Sequence, residues 1–365
     1  MALAPKVAIV YLSFHSEPYL DDVVSALKKI TYAKDLVELV IVDNPHPIFG
    51  SSVRFIEETI MPFSGKELPH VTLLPQEKNL GFSGGNNAGM NWAIQHGFDY
   101  VYLHNDDGFV AASFLEPLVE AMEADPSIGA AQSLVMLYPE TNLINTSGNS
   151  FHYLGIGYCN NFRVRKDDVK LTPIAATSYA SGAAVLLRTS FLKDYGLWDE
   201  DFFLYHEDIE YSLRLKSVGK RIVTVTSSVF YHKYTFGRNA EKLYYIERNR
   251  LGVLLMFYKW PTLLLLVPIA LFWEFGVVIF ALRTGWLRTK LRTYGYWLSF
   301  QHWGRWLQKR AHIQKRRTVS DRRLLHDAVS RVTFNEASID NPMLRYVGNP
   351  LMAAYWAIVQ HFIFW

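Results

Sequence analysis

A cluster of polar side chains directly follows a short apolar run in the first third of the chain. Residues 100–103 are apolar and suit a buried strand, and His104, Asn105, Asp106 and Asp107 come next. Adjacent carboxylates at the end of a buried strand are costly unless something offsets their charge. Such oxygen donors suit Mg²⁺ or Mn²⁺, which bridge protein carboxylates and phosphates. The alternative is a solvated turn, because Asn, Asp and Gly favour turns by themselves.

A second acidic pair, Glu207 and Asp208, follows an aromatic run at the point where a helix extending to about Val218 is predicted to begin. Carboxylates at a helix N-terminus can serve only as caps and partners of the helix dipole. Alternatively, partial desolvation among aromatic residues would raise a carboxylate pKa into the range of a general base. His232 follows the last predicted strand, where it is either structural or able to complete a metal site.

Strands alternate with helices through the first part of the chain, which predicts an α/β fold with a mostly parallel sheet and helices on both faces. Strands are predicted near 6–14, 37–42, 71–74, 100–103, 128–138 and 223–231, and residues 179–188 are predicted to form a small-residue turn that leads into a strand. Helices are predicted near 19–30, 90–96, 114–124 and 207–218. Asp43 and the acidic cluster both follow strands, so we expect them at the same edge of the sheet, where ligands bind.

Residues 79–89 form a run rich in glycine and asparagine ahead of a predicted helix. The run is not a Walker loop, because Gly-Lys-Ser/Thr does not follow it. It is not a dinucleotide fingerprint either, because the glycines of that motif directly follow the first strand. Its glycines would let the backbone approach a ligand closely, or the run is a flexible connector. Residues 139–173 are assigned to no element.

The 365-residue chain is 50% hydrophobic and 15% aromatic. This length allows a sizeable core in one or two domains. The aromatic content indicates contact with a membrane interface or stacking on sugars. Cys159 is the only cysteine, which excludes an intramolecular disulfide and suits a reducing compartment. The first ten residues lack the basic and long apolar parts of a signal peptide, so we expect a cytosolic N-terminus.

The C-terminal third combines an apolar stretch with a basic one. Residues 263–282 are apolar and long enough to span a bilayer. However, Pro268, Glu274 and the basic residues at both ends favour a re-entrant or interfacial helix pair. Residues 283–323 hold 12 Lys or Arg against one acid, whereas the rest of the chain has a net charge of −8. With the apolar residues 351–365, this predicts docking on anionic lipids rather than nucleic acid. A buried soluble helix bundle is the alternative.

Several motifs stand in the order found in glycosyltransferase family 2, the inverting enzymes with a GT-A fold. Over about residues 6–250, the chain resembles the branch of bacterial rhamnosyl- and galactofuranosyltransferases. The similar segments are Leu-Ser-Phe-His-Ser at 12–16, Val-Asp-Asn at 42–44, the glycine-asparagine run at 79–89, Asn-Asp-Asp at 105–107, Ser-Gly-Ala at 181–183, Phe-Phe-Leu-Tyr-His-Glu-Asp at 202–208, His232 and Arg-Asn at 248–249.

The resemblance implies a role for each matching residue. Asp208 would be the base that deprotonates the acceptor hydroxyl, with Glu207 as the second choice. Asp107 would bind the metal together with His232, and Asp106 is the alternative ligand. The implied donor-binding residues are Ser13, His15, Asp43, Asn79, Gly81, Gly84, Asn87, Asn105, Asp106, Ser181 and Gly182. Trp198 and Tyr205 are candidates to stack on the acceptor sugar, and packing in the core is the alternative for both.

By this resemblance we expect a GT-A catalytic domain at 1–240 and an α-helical membrane-associating region at 241–365. The expected reaction is inverting, metal-dependent transfer from a nucleotide-diphosphate sugar, such as dTDP-rhamnose or a UDP-sugar. The expected acceptor is a polyprenyl-linked glycan in cell-surface polysaccharide synthesis, at the cytoplasmic face of the membrane. The implied cofactor is Mg²⁺ or Mn²⁺, and a homo-oligomer is compatible with the pattern. The alternatives are a nucleotidyltransferase, whose basic Gly-rich motif is missing at 11–20, and a non-catalytic membrane scaffold with a degenerate transferase domain.

Overall fold

The structure, a computed structural model, describes residues 4–234, 240–333 and 342–365. Its residues group into two units. The sheet unit comprises the described residues of the ranges 1–149, 159–203 and 220–235, and the helical unit those of 150–158, 204–219 and 236–365. Residues 204–219, which include Glu207 and Asp208, therefore belong to the helical unit. The predicted domain boundary between residues 240 and 241 stays a prediction.

The strands are β1 (Val7–Ser13), β2 (Val37–Asp43), β3 (His70–Pro75), β4 (Tyr100–His104), β5 (Gly108–Val110), β6 (Ile128–Leu137), β7 (Ile144–Thr146), β8 (Asn149–Phe151), β9 (Gly157–Cys159), β10 (Ile174–Ala176), β11 (Ala184–Arg188) and β12 (Arg221–His232). The helices are α1 (Glu17–Leu27), α2 (Val53–Thr59), α3 (Gly81–Gln95), α4 (Leu115–Ala124), α5 (Thr189–Tyr195), α6 (Glu207–Ser217), α7 (Ala240–Phe257), α8 (Trp260–Thr284), α9 (Leu287–Leu298), α10 (Phe300–Arg316), α11 (Asp321–Leu324) and α12 (Asn349–Val359).

A mixed, mostly parallel sheet forms the centre of the sheet unit. Its strand order is β10-β12-β6-β11-β4-β1-β2-β3, with β5 paired to β12 and β7 paired to β6. The strands β4, β1, β2 and β3 are parallel neighbours. β11 runs antiparallel to both β4 and β6, and β12 runs parallel to β6. The predicted α/β arrangement is therefore confirmed.

The central strand β1 shows why the parallel strands are continuous apolar runs. All seven of its residues are buried. Val7, Ile9 and Tyr11 join the core that also contains side chains of α1 and α4. Val10 and Leu12 lie on the other side, against α3. A strand covered by helices on both faces needs an apolar residue at nearly every position.

Helix α3 corrects the prediction for the glycine-asparagine run, because the helix begins inside the run, at Gly81, instead of following it. A Cβ at Gly85 would lie 2.4 Å from the Leu12 side chain, and one at Gly89 would lie 2.4 Å from that of Val10. Missing side chains thus let α3 pack closely on β1. This packing outweighs the low helix propensity of Gly and Asn. The interpretation as a flexible connector is wrong.

The helical unit contains α6 to α12. Among the described residues, α8 is the one helix that is long and apolar enough to cross a membrane, judged by length and composition. The predicted apolar stretch at 263–282 lies within it, and Pro268 stands inside the helix. The apolar residues predicted at 351–365 begin within α12.

Candidate functional site

The carboxyl ends of β1, β2 and β4 lie at one edge of the sheet. The strand register pairs Ser13 with Asp43 on one side of β1 and Tyr11 with His104 on the other. The edge thus brings together the predicted residues of the first and second strands and the start of the acidic cluster. Ligands of open α/β sheets bind at this edge.

Asp43 is held by the loop that follows its strand. The residue is only 1% exposed. Ser51 Oγ donates a hydrogen bond to Oδ2 at 2.6 Å, and the Ser52 N–H donates to Oδ1 at 2.9 Å. Because each carboxylate oxygen can accept more than one hydrogen bond, these contacts orient the group and still leave it able to accept from a ligand.

His15 belongs to an aromatic cluster at the same edge. Its backbone is in the left-handed region, with φ of 56°. Its ring stacks on that of Phe49, with 3.9 Å between centroids, and the His46 ring lies 4.8 Å from Phe49. Phe49 is 62% exposed, so the cluster offers a flat surface to a ligand. Sequence reasoning missed Phe49 and His46, although they closely follow Asp43.

Hydrogen bonds join the end of β2 to Asn79 and Leu80, just before the start of α3 at Gly81. Asn44, which sequence reasoning gave no role of its own, donates from Nδ2 to Asn79 Oδ1 at 3.0 Å and accepts from the Leu80 N–H at 2.8 Å. Gly81 has φ of 72°, and a Cβ there would lie 2.5 Å from the Phe203 carbonyl oxygen. Both its dihedral angle and this close approach require glycine.

Asn87 is buried and already bonded within the sheet unit. Its Nδ2 donates to the Trp198 carbonyl at 2.9 Å and to Glu200 Oε1 at 3.0 Å, and its Oδ1 accepts from the Trp198 N–H at 3.1 Å. A donor contact by this side chain would compete with those bonds. Gly84 lies one turn earlier in α3, where a Cβ would meet Leu80 at 2.9 Å. The donor-binding roles of Asn87 and Gly84 stay predictions.

Ser181 and Gly182 lie close to the acidic cluster. The Ala183 carbonyl accepts from the Asn105 N–H at 2.9 Å, which joins the two segments. The Ser181 N–H donates to Gln132 Oε1 at 2.7 Å. A Cβ at Gly182 would lie 2.6 Å from the Trp198 ring, so the small residue makes room for that side chain.

Of the two candidate acceptor residues, Trp198 packs in the core. It is 3% exposed, and its ring centroid lies 5.7 Å from that of Phe82. This geometry favours the core-packing alternative over stacking on a sugar. Tyr205 is half-buried in the helical unit.

Asp107 and His232 form the pair best suited to hold a divalent cation. His232 Nε2 lies 2.8 Å from Asp107 Oδ1, and Asn105 Nδ2 donates to the same oxygen. β12 and β5 bring the pair together, because their register places His232 opposite Gly108. His232 Nδ1 lies 2.9 Å from Asn145 Oδ1. With Nδ1 donating to this amide oxygen, the ring is oriented so that Nε2 and the Asp107 carboxylate would be the nitrogen and oxygen ligands of a divalent cation such as Mg²⁺ or Mn²⁺.

This candidate metal site has two protein ligands. Across residues 4–234, 240–333 and 342–365, no group of three or more His, Cys, Asp or Glu side chains is arranged to hold a metal ion. A cation bound by one carboxylate and one imidazole would keep positions for phosphate oxygens or water, as Mg²⁺ prefers. Asn145, which orients the imidazole, was missed because it lies in the stretch assigned to no element.

Asp106 differs from Asp107 in its surroundings. Burial, and then the charge of Asp107, raise the pKa of Asp106 to about 8. Its carbonyl oxygen accepts from the Tyr11 hydroxyl at 3.2 Å. The structure therefore pairs Asp107, and not Asp106, with His232, which favours the first choice of ligand.

Glu207 and Asp208 begin helix α6 in the helical unit. Glu207 is 4% exposed, and within the described part of the chain its Oε2 has no hydrogen-bond partner. Burial, and then the charge of Asp208, raise the pKa of Glu207 well above its ordinary value. Asp208 is half-buried, and its Oδ1 accepts from the Ile209 N–H at 2.8 Å. Glu207 therefore retains its proton to a higher pH than an exposed glutamate does.

The turn before this pair has an unusual backbone. Phe203, Tyr205 and His206 have φ of 62°, 66° and 70°, in the left-handed region that side-chain-bearing residues seldom adopt. Asn249 of α7 is fully buried, and its Nδ2 donates to the carbonyl oxygens of Leu204 at 3.0 Å and Tyr205 at 2.7 Å. Such strain persists only where the surroundings hold it, and it is common at functional sites.

Two curated relatives match part of this chain. The N-acetylglucosaminyl-diphospho-decaprenol L-rhamnosyltransferase of Mycobacterium tuberculosis is 27% identical over 197 residues, which cover 47% of this chain and 62% of that protein. The O-antigen biosynthesis protein RfbC of Myxococcus xanthus is 27% identical over 161 residues, which cover 42% of this chain and 12% of that protein. The match therefore spans less than two thirds of either relative.

A solved structure and a family model identify the fold and the family of this chain. The solved structure of GalNAc-T7 with UDP, GalNAc and Mn2+ matches with a TM-score of 0.56 and 14% identity, over 71% of this chain and 49% of that one. This likeness confirms the predicted GT-A fold. The model of the family described as glycosyltransferase like family 2 matches residues 5–251. The resemblance seen in the sequence is confirmed, and the chain belongs to glycosyltransferase family 2.

Proposed function

We propose that this protein is an inverting glycosyltransferase that moves a sugar from a nucleotide-diphosphate sugar to a hydroxyl group. The observation that carries the proposal is the Asp107–His232 pair, 2.8 Å apart at the sheet edge of a family-2 chain. A carboxylate and an imidazole at the ends of buried strands suit a cation that binds a diphosphate. Membership of the family supplies the reaction class.

The donor is proposed to bind at the carboxyl edge of β1, β2 and β4. Asp43 would accept a hydrogen bond from the nucleobase, and His15 stacked on Phe49 would give the base a flat surface. Uracil and thymine present an N–H between two carbonyl groups, which suits a carboxylate acceptor. This supports a UDP-sugar or dTDP-rhamnose as the donor. The remaining predicted donor residues of the sheet unit are proposed to line the same edge.

Asp107 and His232 would hold Mg²⁺ or Mn²⁺ beside the diphosphate. When bound, the ion neutralises the charge that builds on the leaving group. Asn145 keeps the His232 ring oriented through its contact with Nδ1 at 2.9 Å. Asn105 holds the Asp107 carboxylate by donating to Oδ1.

Asp208 is proposed as the general base. It would take the proton of the acceptor hydroxyl while that oxygen attacks the anomeric carbon from the face opposite the diphosphate. One displacement inverts the configuration, so a covalent sugar–enzyme intermediate is not required. The similarity of residues 202–208 to the family signature that carries the base supports Asp208 over the buried Glu207 beside it.

The acceptor is proposed to be a glycan linked to a polyprenyl diphosphate, in the synthesis of a cell-surface polysaccharide. The name of the mycobacterial relative describes such a lipid-linked substrate. An apolar helix α8 followed by a basic stretch supports a protein that works at the cytoplasmic face of a membrane.

The experiment that tests this proposal is release of nucleoside diphosphate by the purified protein from a panel of UDP-, dTDP- and GDP-sugars. It is run with Mn²⁺ or Mg²⁺, with EDTA, and with a lipid-linked acceptor. We expect metal-dependent release from one donor, reduced by Asp208→Asn but not by Asp167→Asn, a matched change at an exposed residue. If Asp208→Asn leaves transfer unchanged, the base is elsewhere, and Glu207 is tested next. Absence of release from every donor would contradict the proposed function.

A further inference from the structure

Helix α8 has a buried face and an exposed face, although most of its residues are apolar. Thr262, Leu266, Ile269 and Ala281 are buried. Large side chains on the other face are 45–70% exposed: Leu264, Val267, Leu271, Phe275 and Leu282. Their spacing of three, four, four and seven residues places them along one side of the helix from near its start to near its end. A continuous exposed stripe of this kind suits a helix that lies along an apolar boundary.

Glu274 is bound by charged residues of two neighbouring helices. Its carboxylate pairs with Arg250 of α7 and, at 2.6 Å, with Lys290 of α9. Glu247 of α7 pairs with the same Arg250 and Lys290. The Tyr294 hydroxyl of α9 donates to Glu274 at 2.7 Å. The four charged groups sum to zero, which explains how a carboxylate is accommodated in an apolar helix.

The pKa of Glu247 shows how strongly its two basic partners stabilise the ionised carboxylate. Burial alone would raise the pKa, but Arg250 and then Lys290 lower it to about 2. Lys290 is fully buried. Glu247 therefore stays ionised at neutral pH, and the ion pairs of Glu247 and Glu274 with Arg250 and Lys290 join α7, α8 and α9.

The ion cluster also fixes where α9 lies. Because both Lys290 and Tyr294 reach Glu274, α9 runs beside the C-terminal half of α8. α9 exposes Arg288 and Arg292 to solvent. If α8 crossed a bilayer, these guanidinium groups would be carried towards the hydrocarbon core, which is costly. An orientation parallel to the membrane surface leaves them at the level of the lipid headgroups.

A second apolar stripe is joined to the N-terminal half of α8. Leu351 and Ile358 of α12, followed by Phe362, are 46–63% exposed and lie along one helical side. The Tyr355 hydroxyl donates to the Leu265 carbonyl of α8 at 2.5 Å. This hydrogen bond joins α12 to α8, the two helices that carry the exposed stripes.

We propose that α8 lies in the plane of an anionic membrane surface, with the side chains of Leu264 to Leu282 on its exposed face inserted at the acyl boundary. This rests on the membrane association proposed above and adds its geometry. Charge favours an anionic partner in addition to the apolar area, because eight of the twelve basic residues in 283–323 are exposed, whereas Lys290 is neutralised in the ion cluster described above. A neutral or cationic surface does not match that charge, whereas acidic headgroups do.

The test is the depth of labels on α8 in the full-length protein bound to phosphatidylcholine vesicles with or without phosphatidylglycerol. In a Cys159→Ser background, an environment-sensitive fluorophore is placed at Leu264→Cys, Leu271→Cys or Leu282→Cys. Quenchers are attached at the lipid headgroup, mid-chain or chain end. We expect the same shallow depth at all three positions, and binding that requires phosphatidylglycerol. A label at Ile174→Cys, an exposed apolar position in β10, should not be quenched.

Two results would overturn this proposal. A label at Leu271 that is far deeper than those at Leu264 and Leu282 would show a helix that crosses the bilayer. If the protein binds no vesicle, and sedimentation shows a stable dimer that Leu271→Glu dissociates, the exposed face of α8 contacts a second copy of the chain instead of a membrane. Vesicle flotation of Leu271→Glu against Ile174→Glu adds an independent measurement, in which only the first change should abolish binding. None of these measurements depends on sugar transfer, so they fail or succeed separately from the proposed function.

Discussion

Asn249 is expected to control catalysis by holding the turn that precedes the proposed base. The perturbation is Asn249→Leu, which keeps the approximate size of the side chain but removes its amide. The native amide donates to the carbonyl oxygens of Leu204 at 3.0 Å and Tyr205 at 2.7 Å, and its own oxygen accepts from Arg248 Nε at 2.9 Å.

The magnitude follows from these contacts. Leaving a buried polar group without its partner costs about 1–3 kcal/mol, and the amide satisfies two carbonyl groups. The left-handed backbone at Tyr205 and His206 costs a further ~1–2 kcal/mol per residue, so the turn will relax once its donors are lost. We expect the free energy of unfolding to fall by about 2–4 kcal/mol. We also expect kcat for transfer to fall by roughly 10- to 100-fold, because small displacements of a catalytic group have effects of that size.

The assay compares kcat, donor KM and urea unfolding with those of Asn349→Leu. Asn349 is also buried in the helical unit, where it donates to the Val332 carbonyl at 2.9 Å and accepts from the Val332 N–H at 2.8 Å. The control should lose similar stability while keeping kcat, and donor KM should stay constant in both variants. The reasoning is refuted if Asn249→Leu keeps its kcat, or if both variants lose kcat equally.

Three other predictions concern the metal, a close helix–strand contact and pH. Asn145→Leu should raise the metal concentration needed for half-maximal activity by about 10- to 100-fold, because the His232 ring loses the partner that orients it. An unchanged metal dependence would show that Asn145 does not support metal binding. Gly89→Ala should lower the free energy of unfolding, measured with urea, by about 1–3 kcal/mol, because the new Cβ would lie 2.4 Å from the Val10 side chain of β1. Gly304→Ala is the control and should be neutral or stabilising, because the space around Gly304 is open. Burial lowers the pKa of His206 in the folded state to about 4, whereas in the unfolded state it is about 6.5. Between these two pH values the unfolded state binds more protons than the folded state. The free energy of unfolding therefore falls, by up to about 1.4 kcal/mol per pH unit, as the pH is lowered from about 6.5 to about 4. His206→Asn, which keeps a residue type tolerant of the left-handed backbone, should flatten that loss when unfolding is compared at about pH 7.5 and about pH 5; an equal loss in both proteins would contradict it.

The long strands of the sheet unit could be predicted from sequence because a strand buried on both faces is almost entirely apolar, whereas short strands such as β5, β7 and β10 were not predicted. Such runs are found in β1, in β4 and, after Glu38, in β2. The acidic cluster could be placed for a related reason, since it directly follows β4. The start of α3 could not be predicted locally, because its glycines are favourable only against the side chains of β1.

Partners from distant parts of the chain explain the remaining differences. Asn145 meets His232 only through the pairing of β7 with β6 and of β6 with β12, and neither residue predicts the other. From the sequence alone, Glu274 indicated that residues 263–282 do not span a membrane. Its partners Arg250 and Lys290 come from two other helices, so the neutral cluster is a property of the fold.

The most direct test of the central claim is transfer of a sugar to a defined acceptor. The purified protein would be incubated with the nucleotide-sugar panel, Mg²⁺ or Mn²⁺, and a synthetic N-acetylglucosamine linked to a prenyl diphosphate. Mass spectrometry and NMR would then follow the acceptor. We expect the acceptor to gain one sugar with inverted anomeric configuration, in step with release of nucleoside diphosphate. A product with retained configuration would contradict the proposed mechanism, and an unchanged acceptor with intact donors across the panel would contradict the proposed activity.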